Sequence, residues 1–176
     1  DQLKWPTETL YIGIKPTINV GTADHWWKYH FVTEQRKAYP VAIPTAFPPP
    51  PDQLGFSDAI WYDETPMIDT FALETHAVEL YHVNPAAFYN TYIPYRYGDY
   101  AVSAPIDIGA YMATFNLYPG SYQPSGHINL SRSREFYFIY TSSILSPIVT
   151  GTLHIIAIAI NFLLIAEGQV ALRYNV

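Results

Sequence analysis

The fold of this chain is decided by the stretch Gln123-Pro124-Ser125-Gly126-His127-Ile128-Asn129-Leu130-Ser131-Arg132, followed closely by Arg134-Glu135-Phe136-Tyr137. Pro124 restricts its own φ and Gly126 permits a positive φ, so residues 123–126 are predicted to form a tight turn. Ile128 and Leu130 then alternate with polar residues, which is typical of a strand. Arg132 and Arg134 are long donors that are predicted to brace the turn by binding carbonyls or carboxylates of a neighbouring loop. If Gly126 has a positive φ, Gly126→Val is expected to cost over ~2 kcal/mol.

The composition indicates a protein whose surface is largely covered by other protein. Hydrophobic residues make up 49% of the 176 residues and charged residues only 14%, against about 25% charged residues in ordinary soluble domains. The net charge of −6 and nine scattered basic residues argue against nucleic-acid binding. Without cysteine there is no disulfide framework and no thiolate metal site. The chain starts at Asp1 with no signal-like region, and we expect a fragment of a longer polypeptide.

The pattern of apolar residues predicts an all-β fold. Aromatic residues and 15 prolines favour strands and turns over helices. A run at 152–165 is too short for a transmembrane helix of about 20 residues, and its β-branched residues favour a strand buried on both faces. The predicted strands are Glu8–Lys15, Met67–Val83, Tyr111–Tyr118, Glu135–Thr141, Thr152–Ile165 and a last strand through Val170, Leu172 and Tyr174 that pairs back after Glu167-Gly168. This pattern favours an antiparallel sandwich or jelly roll, with some strands missing from this chain.

Two aromatic segments are predicted to lie in loops. Residues 17–66 show no sustained period, but their aromatic residues favour an ordered loop over a disordered linker. Residues 88–100 form a tyrosine-rich loop, preceded by one short helical turn at 86–89. Low charge with many aromatic residues favours protein–protein packing, although filling of the chain's own core explains about half of them. The predicted contact residues are Trp26, Trp27, Tyr92, Tyr95 and Tyr97.

No residue pattern predicts catalysis, a metal site or a cofactor. The sequence lacks a nucleophile elbow, a phosphate loop and a dinucleotide fingerprint. Glu74 and His76 share a predicted strand face, but such a pair is more often plain solvent-facing polarity than a metal site. A lectin-like β-sandwich that binds sugars through surface tyrosines is the alternative to a structural protein.

Four blocks resemble the major capsid proteins of the African swine fever virus and faustovirus group of large DNA viruses. They follow the family's order along nearly the whole chain, and the third is highly specific. The match fades after Trp27, and the proline run at 48–51 has no counterpart. The blocks are Leu3-Lys4-Trp5-Pro6 with Tyr11 to Thr17, Tyr92-Ile93-Pro94 with Tyr97-Gly98, Gln123 to Ser131 with Arg132, Arg134, Glu135, Phe136 and Tyr137, and Ala159 to Leu164 with Leu172-Arg173-Tyr174.

The resemblance implies a double jelly-roll capsid protein that self-assembles into trimeric, pseudo-hexagonal capsomers of an icosahedral shell. Residues 1–176 would form the C-terminal part of the second jelly roll, with 22–66 as a long variable loop and the remainder in a preceding segment. The implied partners are the remaining segments of the same protein, other copies in the trimer and in neighbouring capsomers, and minor capsid proteins. The implied location is the virion capsid, assembled in the host cytoplasm, with no nucleic acid bound and no membrane span.

Overall fold

A computed structural model of the chain describes residues 5–42, 54–98, 103–130 and 135–173, with the backbone alone described at 35–42 and 54–61. Eleven strands fall in these ranges, joined by two short α-helices and one π-helical turn at Phe88–Tyr92. The strands are β1 Pro6–Pro16, β2 His30–Ala42, β3 Leu54–Pro66, β4 Thr70–Thr75, β5 Val78–Pro85, β6 Ala110–Thr114, β7 Ile128–Asn129, β8 Phe136–Thr141, β9 Gly151–Ala159, β10 Leu163–Ala166 and β11 Gln169–Leu172; the helices are α1 Thr17–Val20 and α2 Ile93–Tyr97. The predicted all-β class is confirmed.

The central strand of the first sheet is β1. It pairs antiparallel with β6 and β7 on one side and with β9 on the other. Leu10, Ile12 and Ile14 are buried as their alternation predicts. They form one hydrophobic core with residues of the second sheet, whose strand order is β5-β4-β8. The two sheets therefore pack through a shared core in a sandwich arrangement.

Aromatic residues dominate the centre of this core. The Phe71 ring of β4 stacks on Tyr89 with 3.6 Å between centroids and meets Tyr111 of β6 edge-on at 5.5 Å. The Tyr89 hydroxyl lies 3.0 Å from the carbonyl oxygens of both Phe71 and His82, which share its single proton. The buried hydroxyl is thus satisfied while the ring fills the core.

The single strand predicted over Met67–Val83 is wrong, because β4 and β5 form a hairpin there. His76 and Ala77 at its tip have φ values of 50° and 59°. Two consecutive left-handed residues make the two-residue turn that matches strand twist. Neither residue is the glycine or asparagine that usually marks such a turn. The alternating pattern from residue 67 to 83 therefore contains no turn signal and predicts one continuous strand.

The prediction of loops at 17–66 and 88–100 is also corrected. Strands β2 and β3 pair over thirteen positions, from His30↔Pro66 to Ala42↔Leu54. Residues 88–97 are helical, and Pro94 lies near the N-terminus of α2, where its missing N–H is harmless.

The apolar run at 152–165 is divided between β9 and β10. Ile155 and Ala157 pack against the core, whereas Leu153, Ile156 and Ile158 are exposed. One face of β9 is therefore exposed within the described ranges, and the expected burial on both faces is not found there. The predicted terminal hairpin is confirmed, since β10 pairs with β11 through Glu167 and Gly168.

Candidate functional site

Trp26 and Trp27 lie in a compact loop between α1 and β2 and are 57% and 50% exposed. The loop is closed by backbone bonds, among them Trp26 N–H to Thr22 O at 3.1 Å. Each indole has an ammonium group over it: Lys15 Nζ lies 5.6 Å from the Trp26 ring, and Lys28 Nζ lies 5.6 Å from the Trp27 ring. These cation–π contacts hold both aromatic rings at the surface.

A polar cluster beside this loop, with His30 buried at its centre and Glu64 43% exposed, connects α1, β2, β3 and the 103–109 segment. The His30 side chain is 3% exposed, and its Nδ1 lies 2.8 Å from Asp107 Oδ1. Its Nε2 lies 3.2 Å from Glu64 Oε1, an ion-pair distance without the alignment of a full hydrogen bond. Lys28 Nζ donates to the same Glu64 oxygen at 2.8 Å. The Asn19 amide of α1 donates to the His30 carbonyl oxygen at 2.9 Å.

The Asp107 carboxylate is the anchor of the cluster. It accepts the backbone N–H groups of Tyr29 at 2.7 Å and Gly109 at 2.8 Å besides facing His30. Burial alone would raise the pKa of Asp107, but the hydrogen bonds from these three residues together lower it. The Lys28 ammonium lowers the pKa of Glu64. Both carboxyl groups are therefore ionised at neutral pH.

Two glycines allow the chain at Tyr29 to approach the first sheet. A Cβ at Gly109 would lie 1.9 Å from the Tyr29 carbonyl oxygen, and one at Gly13 would lie 2.7 Å from the Tyr29 ring. Any larger residue would push the Trp loop outward. The position of the loop thus depends on glycine at two distant points of the sequence.

The predicted contact tyrosines divide into two groups. Tyr92 and Tyr95 are exposed, Tyr95 by 85%, and Tyr92 stacks on Phe88 at 5.1 Å. Tyr97 is instead partly buried and packs against the core. Asn90 in the same helical segment donates to the Asp107 carbonyl oxygen at 2.9 Å. The tyrosine segment and the Trp loop are therefore both tied to Asp107.

The tight turn predicted at Gln123–Gly126 is formed a few residues earlier. Ser121 N–H donates to the Tyr118 carbonyl oxygen at 3.2 Å, and Gly120 has a φ of 83°. Gly120 therefore supplies the left-handed residue that the turn requires.

Gly126 has the positive φ that the sequence predicts, although it does not close the turn. Its φ is 158°, a conformation that residues with a side chain rarely adopt, and a Cβ there would lie 2.6 Å from the Phe115 carbonyl oxygen. The glycine thus permits close backbone approach. The neighbouring Ser125 hydroxyl donates to Asn116, whose amide donates to Glu8 at 2.9 Å. Pro124 and Gln123 lead into this bonded segment, whereas Arg132 and Arg134 lie outside the described residues.

An exposed apolar surface on β9, β10 and β11 was not predicted. The signal in the sequence is that both strands of the terminal hairpin carry apolar residues at consecutive positions. The exposed residues are Leu153, Ile156, Ile158, Leu163, Leu164, Ile165, Val170 and Leu172. Exposed apolar residues in this number are typical of contact with another protein surface.

The described residues contain no group of three or more His, Cys, Asp or Glu side chains placed to hold a metal ion. In the same ranges, none of the helices has both the length and the apolar character needed to cross a membrane. The candidate site consists of two exposed aromatic segments, at Trp26–Trp27 and at Tyr92–Tyr95, that are both connected to Asp107 by hydrogen bonds of neighbouring residues, together with the exposed apolar residues of β9, β10 and β11.

The chain matches the sequence family described as large eukaryotic DNA virus major capsid protein over residues 5–171. It is 37% identical to the major capsid protein of African swine fever virus isolate Warthog/Namibia/Wart80/1980 and to hexon protein p72 of strain Badajoz 1971 Vero-adapted, each alignment covering 98% of this chain and 29% of the relative. The chain thus spans less than a third of these relatives' length.

Solved structures show the same similarity. The Faustovirus major capsid protein superposes with a TM-score of 0.63 at 31% identity, over 89% of this chain and 30% of that one. The PBCV-1 virus capsid superposes with a TM-score of 0.60 at 21% identity, over 99% of this chain and 45% of that one, which supports the fold alone. The expected jelly-roll architecture is confirmed.

Proposed function

The chain belongs to the large eukaryotic DNA virus major capsid proteins, and we propose that the protein containing it builds trimeric, pseudo-hexagonal capsomers of an icosahedral shell. The observation that carries this proposal is the family match over nearly the whole chain. The 31% identity to the Faustovirus major capsid protein, at a TM-score of 0.63, supports it. The role is structural and involves no catalysis.

The surface of the chain fits this role. Subunit interfaces are enriched in Trp and Tyr and depleted in charge at their centre. Trp26, Trp27, Tyr92 and Tyr95 are exposed aromatic residues on segments held by Asp107. We assign the contact between subunits to these residues, and Tyr97 supports the tyrosine segment from below. Gln123, Pro124, Ser125 and Gly126 form a structural segment that Ser125 and Gly126 hold against Asn116 and Phe115, and Arg132 and Arg134 are assigned to brace it.

The exposed β9–β11 surface fits contact with remaining segments of the same protein. Residues 1–176 would then be the C-terminal portion of the second jelly roll, and 22–66 a lineage-variable surface segment. Neighbouring capsomers and minor capsid proteins are the further partners. Assembly would take place in the host cytoplasm, and the product would reside in the virion capsid.

Substitution of the two tryptophans tests the subunit contact. In the full-length gene product carrying this chain, Trp26→Ser with Trp27→Ser should weaken self-association at least 30-fold, because the loss of even one buried aromatic contact costs about 2 kcal/mol. Sedimentation velocity over a range of concentrations measures the association. The matched control is Val78→Ser with Val83→Ser, two exposed apolar residues of β5 outside the assigned surface.

The control should associate like the unmodified protein. If the unmodified protein, the tryptophan variant and the valine variant associate equally, the tryptophans do not lie in the interface. If the unmodified protein is strictly monomeric, the proposed capsomer function is wrong. No observation on the described residues favours the lectin-like alternative. Specific saccharide binding on a glycan array would revive it.

A further inference from the structure

We propose that His30, Asp107, Glu64 and Lys28 form a pH-sensitive lock that positions the Trp26–Trp27 loop for contact between subunits. The inference rests on the subunit contact proposed above and adds its regulation. It starts from geometry: a histidine that is 3% exposed lies between two carboxylates, 2.8 Å from Asp107 and 3.2 Å from Glu64.

The charge of His30 decides how many of these contacts are favourable. Only the charged imidazole ring has a proton on both nitrogens, so only that form can donate to both carboxylates. The neutral ring keeps one proton, and the shorter contact with Asp107 favours Nδ1 as its position. The buried Nε2 would then direct a lone pair at Glu64, an arrangement that is unfavourable without a donor.

The groups that face His30 come from two elements other than its own. Asp107 lies in the 103–109 segment and stays held by the N–H groups of Tyr29 and Gly109. Glu64 lies in β3, and Lys28 Nζ contacts the same Glu64 oxygen as His30 Nε2, at 2.8 Å. Loss of the second proton therefore leaves the Asp107 side intact and weakens the link to β3.

The Trp loop is connected to the weakened link. Glu64 Oε1 contacts both His30 Nε2 and Lys28 Nζ, and that same Lys28 Nζ lies over the Trp27 ring. When His30 no longer holds Glu64, Lys28 alone binds that carboxylate, and the indole above Lys28 is positioned by one contact fewer. Mildly acidic conditions thus favour the ordered loop, and alkaline conditions loosen it.

Amide hydrogen exchange on the full-length gene product tests the lock. We expect protection at Val32 and Thr33, which lie beside Glu64 in the β2–β3 ladder, to fall about tenfold from pH 5.5 to pH 8.5 after correction for intrinsic exchange, which corresponds to one charge-assisted contact. His30→Gln should remove this pH dependence. The matched control is His82→Gln, because His82 is 85% exposed and also faces a carboxylate, Glu79, at 2.6 Å.

His82→Gln should keep the unmodified profile. The lock would be overturned if amide protection in His30→Gln kept the pH dependence of the unmodified protein, or if protection in His82→Gln no longer changed with pH. If His30→Gln does not fold, Glu64→Gln replaces it, since a neutral amide no longer opposes the neutral ring; an undiminished pH response in that variant would also overturn the lock.

Sedimentation velocity at the same two pH values tests the coupling. Association of the unmodified protein should weaken at pH 8.5 and that of His30→Gln should not change with pH. If protection responds to pH but association does not, the lock does not regulate the contact and the inference fails. Failure of the subunit contact itself is recognised separately, by tryptophan variants that associate normally.

Discussion

The sharpest prediction concerns Gly109, where one methyl group should displace the Trp loop. In Gly109→Ala the new Cβ would lie 1.9 Å from the Tyr29 carbonyl oxygen, 2.4 Å from its carbonyl carbon and 3.0 Å from His30 N. Ordinary contacts begin at 3.4 Å, so the two backbone segments must separate by about 1.5 Å. All three atoms belong to the backbone, and no side chain can rotate away.

The separation also breaks the anchor at Asp107. Its carboxylate binds both segments, through Tyr29 N–H at 2.7 Å and Gly109 N–H at 2.8 Å, and a movement of this size removes one bond. Overpacking costs about 1–3 kcal/mol, and a hydrogen bond to a charged group contributes about 1.5–3 kcal/mol. We expect Gly109→Ala to lower the free energy of unfolding by about 3–5 kcal/mol.

Urea unfolding followed by far-ultraviolet circular dichroism measures this loss. The control is Gly21→Ala, because Gly21 has a φ of −89° and no atom within 4 Å of the added Cβ. The control should change stability by less than about 0.5 kcal/mol. The reasoning is refuted if both variants unfold at the same urea concentration.

Three further predictions concern the turns and the core. Ala77→Gly should stabilise the β4–β5 hairpin by about 1 kcal/mol, since Ala77 has a φ of 59°, whereas Ala87→Gly, at a right-handed φ of −59°, should destabilise by about 0.5–1 kcal/mol; thermal unfolding would show shifts of opposite sign. Gly126→Val should cost over ~2 kcal/mol through contact with the Phe115 carbonyl oxygen, and a urea midpoint equal to that of the unmodified protein would contradict this. Burial raises the pKa of Tyr81 to about 12, so the stabilisation from its protonated hydroxyl is complete below pH 10 and is lost as the pH rises through 12. Between these pH values the free energy of unfolding of Tyr81→Phe should fall less steeply with pH than that of the unmodified protein.

Local alternation was sufficient for the parts of the fold where neighbouring residues carry the signal. Leu10, Ile12 and Ile14 identified β1, and Glu167-Gly168 identified the terminal hairpin. The same reasoning failed at His76 and Ala77, whose left-handed conformation is imposed by the hairpin and not by their own preference. It failed again for β2 and β3, since each strand is specified mainly by its pairing with the other.

The site was only half predictable for a similar reason. Exposed aromatic residues such as Trp26, Trp27 and Tyr95 can be recognised from composition and low charge. The anchor below them joins His30, Glu64 and Asp107, which are far apart in the chain. No short motif links such residues, and only the folded sheet brings them together. The resemblance to capsid proteins supplied the function that the residues alone left open.

The central place of β1 has a consequence for synthesis. Gly13 pairs with Ala110 on one side and with His154 on the other, so β1, once synthesised, waits for about 140 further residues before both sides are paired. At the usual 5–20 residues per second, that wait is on the order of 10 s. Until then Leu10, Ile12 and Ile14 lack the β9 side of their sheet, and closing such long loops is slow. The yield of correctly folded protein should therefore respond to translation speed and temperature.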